Sequence, residues 1–202
     1  MRLLARREIP LIEDDIYGDL HLDGARPRPA RAFDRNGLVM LCGSFSKTLA
    51  PGYRVGWVAP GRFRDAVERL KFAQTVASPT LTQMAVADFL ENGGYERHLR
   101  RLRRKVAEQV ARVSEAIAMH FPAGTRISRP RGGFLLWVEM PHGKSALELH
   151  DRALARGVSV APGPIFSAKQ RFASCVRISC GFPWSATIER GVRTLGEIAH
   201  EI

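Results

Sequence analysis

Between Tyr95 and Phe121 the apolar residues Leu99, Leu102, Val106, Val110, Val113 and Ile117 recur at spacings of three and four, the period of a helix that buries one face. At 1.5 Å per residue that helix is about 40 Å long, too long to lie within one small layer. The spacing therefore predicts a helix that bridges two domains, dividing the chain into residues 1–94, the helix 95–121 and residues 122–202. The outer face of this helix is basic, carrying Arg97, Arg100, Arg101, Arg103, Arg104 and Lys105 within a chain of net charge +11. Such a face is either simply solvated or a phosphate contact. No aromatic residues interleave with the arginines as a nucleic-acid platform needs.

On both sides of the long helix, short apolar runs punctuated by Gly, Pro and Asp alternate with segments of helical period, the pattern of an α/β architecture. The expected strands are 9–12, 39–43, 55–59, 134–139, 158–161 and 176–179. The other expected helices are 62–75, 81–92, 146–156 and 186–202. Ser145 followed by Glu148 fits a capping box, and Ser185 is a fair cap for the last helix; Gly157 and the Gly93-Gly94 pair are plausible stops. Residues 23–36, with Pro27, Pro29 and several arginines, read as a loop.

With 45% hydrophobic against 25% charged residues, the chain has enough apolar surface for a sizeable core. No apolar run of membrane-spanning length occurs and the first eight residues lack a secretory signal, so a cytoplasmic protein without membrane contact is expected. Cys42, Cys175 and Cys180 show no metal-ligand spacing, and each sits in or beside an apolar run, which suits buried reduced thiols.

The stretch Gly43-Ser44-Phe45-Ser46-Lys47-Thr48-Leu49-Ala50-Pro51-Gly52-Tyr53-Arg54-Val55-Gly56-Trp57 carries the densest chemistry. A lysine follows an apolar strand and two serines, and an arginine comes seven residues later, after a Pro-Gly turn. Hydroxyls and a guanidinium around one lysine suit a phosphate dianion held beside a nucleophilic amine. Pyridoxal 5'-phosphate (PLP) asks for that pairing: an aldehyde for the lysine to capture and a phosphate for its neighbours to grip.

A second cluster, Ile12-Glu13-Asp14-Asp15-Ile16-Tyr17-Gly18-Asp19-Leu20, ends an apolar strand in carboxylates, where ligands gather in α/β sheets. A carboxylate there can pair with a protonated pyridine nitrogen, and a phenol can bond a neighbouring phenolate oxygen. Asp14 and Asp15 point to opposite faces if the strand continues through them. The three-residue spacing to Tyr17 favours Asp14, with Asp15 in a turn, and the choice stays open.

These two motifs occur in the same order as Arg131-Gly132-Gly133-Phe134-Leu135-Leu136-Trp137, Ala161-Pro162-Gly163-Pro164-Ile165-Phe166 and Val176-Arg177-Ile178-Ser179. Together they resemble the class I and II aminotransferases of fold type I, and most nearly the aminotransferase-like half of GntR/MocR-type regulators. The resemblance covers essentially the whole chain. It implies the C-terminal part of a three-layer α/β/α PLP-binding large domain, followed by a small C-terminal α/β domain. It makes Lys47 the Schiff-base lysine, Asp14 the partner of the pyridine nitrogen and Tyr17 the donor to the phenolate oxygen. Ser44, Ser46 and Arg54 become the phosphate group, and Arg177 the arginine for a substrate carboxylate. It also implies a homodimer acting on an amino acid and a 2-oxo acid, or answering to an amino-acid-like effector.

Members of the family place about half of the large domain before the acidic turn, whereas thirteen residues precede Asp14 here. The missing part supplies a Gly-containing phosphate turn, an aromatic that stacks on the cofactor ring and an asparagine near its phenolate oxygen. The chain is therefore expected to be a C-terminal half, inactive by itself and without the winged helix of the regulators. Two functions remain open: half of an aminotransferase, or the effector-sensing half of a transcription regulator. His98, His120, His142 and His150 have no metal-ligand spacing, and Trp137 and Trp184 suit core or interface positions.

Overall fold

Pro10 has no N–H to give to a sheet, and pairing begins one residue later, with Leu11 N donating to Leu38 O at 3.0 Å. The first strand, β1, is therefore Leu11–Asp14, shifted from the expected 9–12. The computed structural model describes residues 1–202, which divide into two compact units, Met1–Leu102 and Arg103–Ile202. In the first unit β1 runs parallel to β2 (Val39–Ser44), and β2 runs antiparallel to β3 (Gly56–Ala59). Helix α1 (Arg2–Arg6) precedes this sheet, and α2 (Arg64–Thr75) and α3 (Thr80–Glu91) follow it. Helix α4, Gly94–His120, matches the expected long helix within a residue at each end and contributes residues to both units.

The segment 23–36, expected as loop, contains a 3-10 turn at Ala30–Phe33. The Glu13 carboxylate accepts from Ala30 N at 2.6 Å and Arg31 N at 3.0 Å, satisfying orphan amides at the start of that turn. Strand alternation thus sends Glu13 to one face of the sheet and Ile12 and Asp14 to the other, where both are exposed.

The second unit holds an antiparallel sheet of β4 (Arg126–Ile127), β5 (Leu135–Glu139), β6 (Ala161–Pro162) and β7 (Cys175–Ser179), in the order β4-β5-β7-β6. Helices α5 (Ala146–Ala155) and α6 (Ala186–Glu201) complete it. Leu136 and Val138 of β5 and Val176 and Ile178 of β7 point into a core closed by Ile117, Leu149, Leu195 and Ile198. The alternate residues Trp137 and Arg177 are register partners on the other face. Close packing of α6 onto the end of α4 requires Gly196, because a Cβ there would lie 2.4 Å from His120 O.

The expected caps form: Ser145 Oγ accepts from Glu148 N at 3.3 Å and Ser185 Oγ from Ile188 N at 3.4 Å. After α5 the chain turns at Gly157, with φ 76°, and Val158 N bonds back to Ala153 O at 2.8 Å. That helix-terminal bond explains why the expected strand 158–161 pairs only at Ala161–Pro162.

Burial differs between the units. The buried apolar residues of the first are Leu20, Leu38, Val39, Val86 and Leu99, while Leu70 and Phe72 of α2 are 60% and 68% exposed and Leu81 of α3 is 81% exposed. Helix α2 buries none of its residues. No helix is long and apolar enough to cross a membrane.

Candidate functional site

The parallel pairing of β1 with β2 sets Asp14 opposite Cys42, and Asp15 N donates to Cys42 O at 3.0 Å. Both chemistry-bearing motifs therefore leave the sheet from the carboxyl ends of adjacent parallel strands, where such sheets collect ligands.

Beyond β2 the chain folds over in one turn. Leu49 N and Ala50 N both donate to Phe45 O, at 2.8 and 3.0 Å, and Phe45 N donates to Val55 O at 3.1 Å. Lys47 sits in this turn and is exposed, while Thr48 beside it is only 2% exposed. Ser44 Oγ accepts from Ser46 N at 3.1 Å and donates to Val55 O at 3.3 Å, so this hydroxyl braces the loop. Arg54 Nη1 donates to Ser46 Oγ at 3.3 Å and to Pro51 O at 3.4 Å. Ser44, Ser46 and Arg54 are thus brought together around the lysine loop.

Two backbone features hold that cluster in shape. Arg54 follows the 3-10 turn Pro51–Tyr53 in a left-handed conformation, φ 54° and ψ 35°, which costs an L residue about 1–2 kcal/mol. Strain of this kind persists where the surrounding structure demands it, often at ligand sites. Gly43 is register partner to Trp57, and a Cβ on Gly43 would lie 2.4 Å from the indole ring, so glycine there lets the tryptophan lie across the strand end.

At the acidic turn the two aspartates separate. Asp15 is ion-paired with Arg26, which also reaches Asp19 through Nε at 2.8 Å. Burial alone would lower the Arg26 pKa; hydrogen bonding to Asp19 and the charges of Asp15 and Asp19 outweigh it and hold the guanidinium above its ordinary value. Asp14, the last residue of β1, is exposed and accepts from Ile16 N at 3.3 Å. Tyr17 is half-buried and stands at the residue before the 3-10 turn Gly18–Leu20.

Arg177 belongs to the second unit. Its guanidinium lies 4.6 Å from the centre of the Phe166 ring, and Trp137 meets Phe166 and Phe172 edge-on at 5.7 and 5.4 Å. Trp137 is therefore part of an aromatic wall on the open face of the sheet rather than of the core. No cluster of His, Cys, Asp and Glu that could hold a metal ion is present.

Sequence reasoning gave no role to Arg26, Asp19, Thr48 and Tyr95, and set His98 aside as lacking metal-ligand spacing. Tyr95 OH lies 2.9 Å from Thr48 Oγ1 and 3.3 Å from Asp19 Oδ2, and His98 Nε2 lies 2.7 Å from Thr48 O. The available signal was position: Tyr95 and His98 fall three apart on the same face of α4 as the buried Leu99.

A profile described as Aminotransferase class I and II matches residues 1–195. The chain belongs to that family. It is similar to the uncharacterized HTH-type transcriptional regulator YjiR of Escherichia coli, 40% identical over 200 residues that make up 99% of this chain and 43% of that one. It is also similar to the 2-aminoadipate transaminase of Thermus thermophilus, 34% identical over 97% of this chain and 50% of the relative. Among solved structures, the α-aminoadipate aminotransferase LysN of Thermus thermophilus, complexed with N-(5'-phosphopyridoxyl)-L-leucine, superposes with a TM-score of 0.91. That match is 31% identical and covers 99% of this chain and 52% of LysN. The chain thus spans about half the length of the relatives it matches, and within this aminotransferase fold its α/β units contain both the lysine loop and the acidic turn.

Proposed function

We propose that this chain carries the lysine-bearing half of a PLP-dependent aminotransferase site, with Lys47 as the amine that captures the cofactor aldehyde. The observation that carries the reading is the convergence of Ser44, Ser46 and Arg54 on the lysine loop, with Arg54 held in a strained left-handed conformation that aims a guanidinium at a serine hydroxyl. A hydroxyl and a guanidinium 3.3 Å apart form donors for a dianion. The residues present therefore fit the phosphate of PLP.

In this reading Ser46 and Arg54 grip the phosphate, and Ser44 braces the loop they stand on. Asp14 takes the pyridine nitrogen, supported by its exposure and by the engagement of Asp15 with Arg26; Tyr17 donates to the phenolate oxygen. When bound, PLP supplies an electron sink that stabilises negative charge at a substrate α-carbon. Lys47 Nζ then serves as the base that moves a proton at that carbon, and Arg177 holds the substrate carboxylate in a bidentate fork. Residues 1–94 belong to the PLP-binding large domain, 95–121 to the connecting helix and 122–202 to the small domain.

Relatives about twice this length include transaminases, so we assign the transfer, between an amino acid and a 2-oxo acid, to a homodimeric site completed by residues beyond these 202. A cytoplasmic setting suits the three free thiols. The regulators among the relatives, at 40% and 38% identity, support a second reading, in which the same site senses an amino-acid-like effector. Incubating the complete protein with PLP, an amino acid and a 2-oxo acid separates the two. Product that disappears in Lys47→Ala supports the enzyme. Bound PLP without turnover supports the sensor, and absence of PLP binding contradicts both.

A further inference from the structure

Thr48 is the one polar residue buried as a whole residue, and it directly follows Lys47. A buried hydroxyl and a buried carbonyl each need a partner, and one helix face supplies both. Tyr95 OH meets Thr48 Oγ1 at 2.9 Å and His98 Nε2 meets Thr48 O at 2.7 Å. Because a carbonyl only accepts, the His98 proton sits on Nε2.

The same phenol lies 3.3 Å from Asp19 Oδ2, and Asp19 is tied through Arg26 to Asp15. Burial first, and then the charge of Asp19, push the Tyr95 phenol above its ordinary pKa, so it remains a hydrogen-bond donor. Ring contacts set both side chains: Phe45 lies edge-on to Tyr95 at 5.7 Å, and Phe89 to His98 at 6.1 Å. A continuous chain of bonds thus runs from the residue after Asp14 to the residue after Lys47.

We propose that Tyr95 and His98 are positioning residues for Lys47, clamping the lysine loop through Thr48 and tying it to the acidic turn through Asp19. With the Thr48 hydroxyl and carbonyl both held, the backbone at Lys47 cannot swing, and the amine is confined to an arc set by its own side chain. Placement errors of an ångström at a reacting group carry large penalties in rate. The clamp therefore fixes the amine relative to the carboxylate and phosphate donors. This inference rests on the assignment of Lys47 as the cofactor lysine.

The test uses the complete protein and two readouts. The first is reductive trapping: brief exposure to PLP, reduction with borohydride, and peptide mass mapping of the label at Lys47 against Lys71, Lys105, Lys144 and Lys169. The second is hydrogen exchange of the amides of residues 46–50 without PLP, which needs no cofactor. Tyr95→Phe keeps the ring packed on Phe45 and removes only the hydroxyl. Thr48→Val removes the other partner, and Thr48→Ser retains it.

Loss of one net hydrogen bond corresponds to about a fivefold change. We expect the preference for Lys47 to fall about fivefold, and exchange at 46–50 to accelerate about fivefold, in Tyr95→Phe and Thr48→Val, with both restored in Thr48→Ser. Unchanged exchange and unchanged preference in those variants, with wild type still labelled at Lys47, overturn the clamp and leave the cofactor assignment standing. A complete wild-type protein with no preference for Lys47 overturns the cofactor assignment, and the positioning role with it. A loss of preference that Thr48→Ser fails to restore marks a packing defect and also overturns the clamp.

Discussion

Replacing Arg54 separates what its side chain does from what its backbone endures. The left-handed φ of 54° costs a residue with a Cβ about 1–2 kcal/mol, and glycine is free of that cost. Glycine also gives up about 0.4–1 kcal/mol through the greater freedom of the unfolded chain. Arg54→Gly should therefore be about 0.5–1 kcal/mol more stable than Arg54→Ala, roughly 1–4 °C in melting temperature for a chain of this length. The lost contacts to Ser46 Oγ and Pro51 O, at 3.3 and 3.4 Å from an exposed guanidinium, contribute little to stability and are missing from both variants. Affinity for PLP behaves differently, because both variants lack a charge-assisted phosphate contact worth about 1.5–3 kcal/mol. Each should bind PLP roughly tenfold or more weakly than wild type. The assay is a thermal melt of the three proteins without cofactor, together with a PLP titration of each. If Arg54→Gly melts no higher than Arg54→Ala, the strain argument fails; if both variants retain wild-type affinity, Arg54 is not a phosphate anchor.

Arg177→Ala should weaken binding of amino-acid carboxylates by about 2–3 kcal/mol where the fork is desolvated, as read by amino-acid titration, while PLP affinity stays unchanged. The Cys180 thiol, pushed up to about 12 by burial, should resist alkylation at pH 8 in the native protein and react on unfolding. The linked stability effect has a definite sign: the unfolded thiol loses its proton near its ordinary value of 9.0 while the folded one keeps it. Stability should therefore fall as pH rises from about 9 to about 12, which denaturant midpoints across that range will show. Hydrogen exchange should be slowest at Val138 and Val176, whose side chains are fully buried, and faster in β3 beside Trp57, which is 46% exposed.

Local periodicity and local chemistry carried much of the fold. The stripe of Leu99 to Ile117 located α4 within a residue, and the Ser145 and Ser185 caps form as their spacing predicts, because each depends on neighbours within one or two helical turns. The two-residue strand β4 and the five-residue helix α1 are too short to show a period. The start of β1 at Leu11 and the short β6 depend on which amides can pair, Pro10 having none and Val158 N being bonded to Ala153 O, and a run of apolar residues does not reveal that. At the candidate site the lysine loop could be read because Ser44, Ser46, Lys47 and Arg54 are close in sequence. The clamp could not: Tyr95 is 47 residues from Thr48 and 76 from Asp19, and such contacts follow from how helices settle on a sheet. The ion pair of Asp15 with Arg26, which supports the proposed role of Asp14, likewise involves a partner inside a segment expected to be a loop.

The measurement that bears most directly on the central claim is the identity of the lysine that PLP captures. The complete protein is incubated with PLP, reduced with borohydride, digested and mapped by mass spectrometry, alongside Lys47→Ala. The account predicts a pyridoxyl label on Lys47 at near-stoichiometric level and its loss in Lys47→Ala, even if PLP still binds noncovalently. A label on Lys71, Lys105, Lys144 or Lys169 instead, or the same extent of labelling in Lys47→Ala, would contradict it.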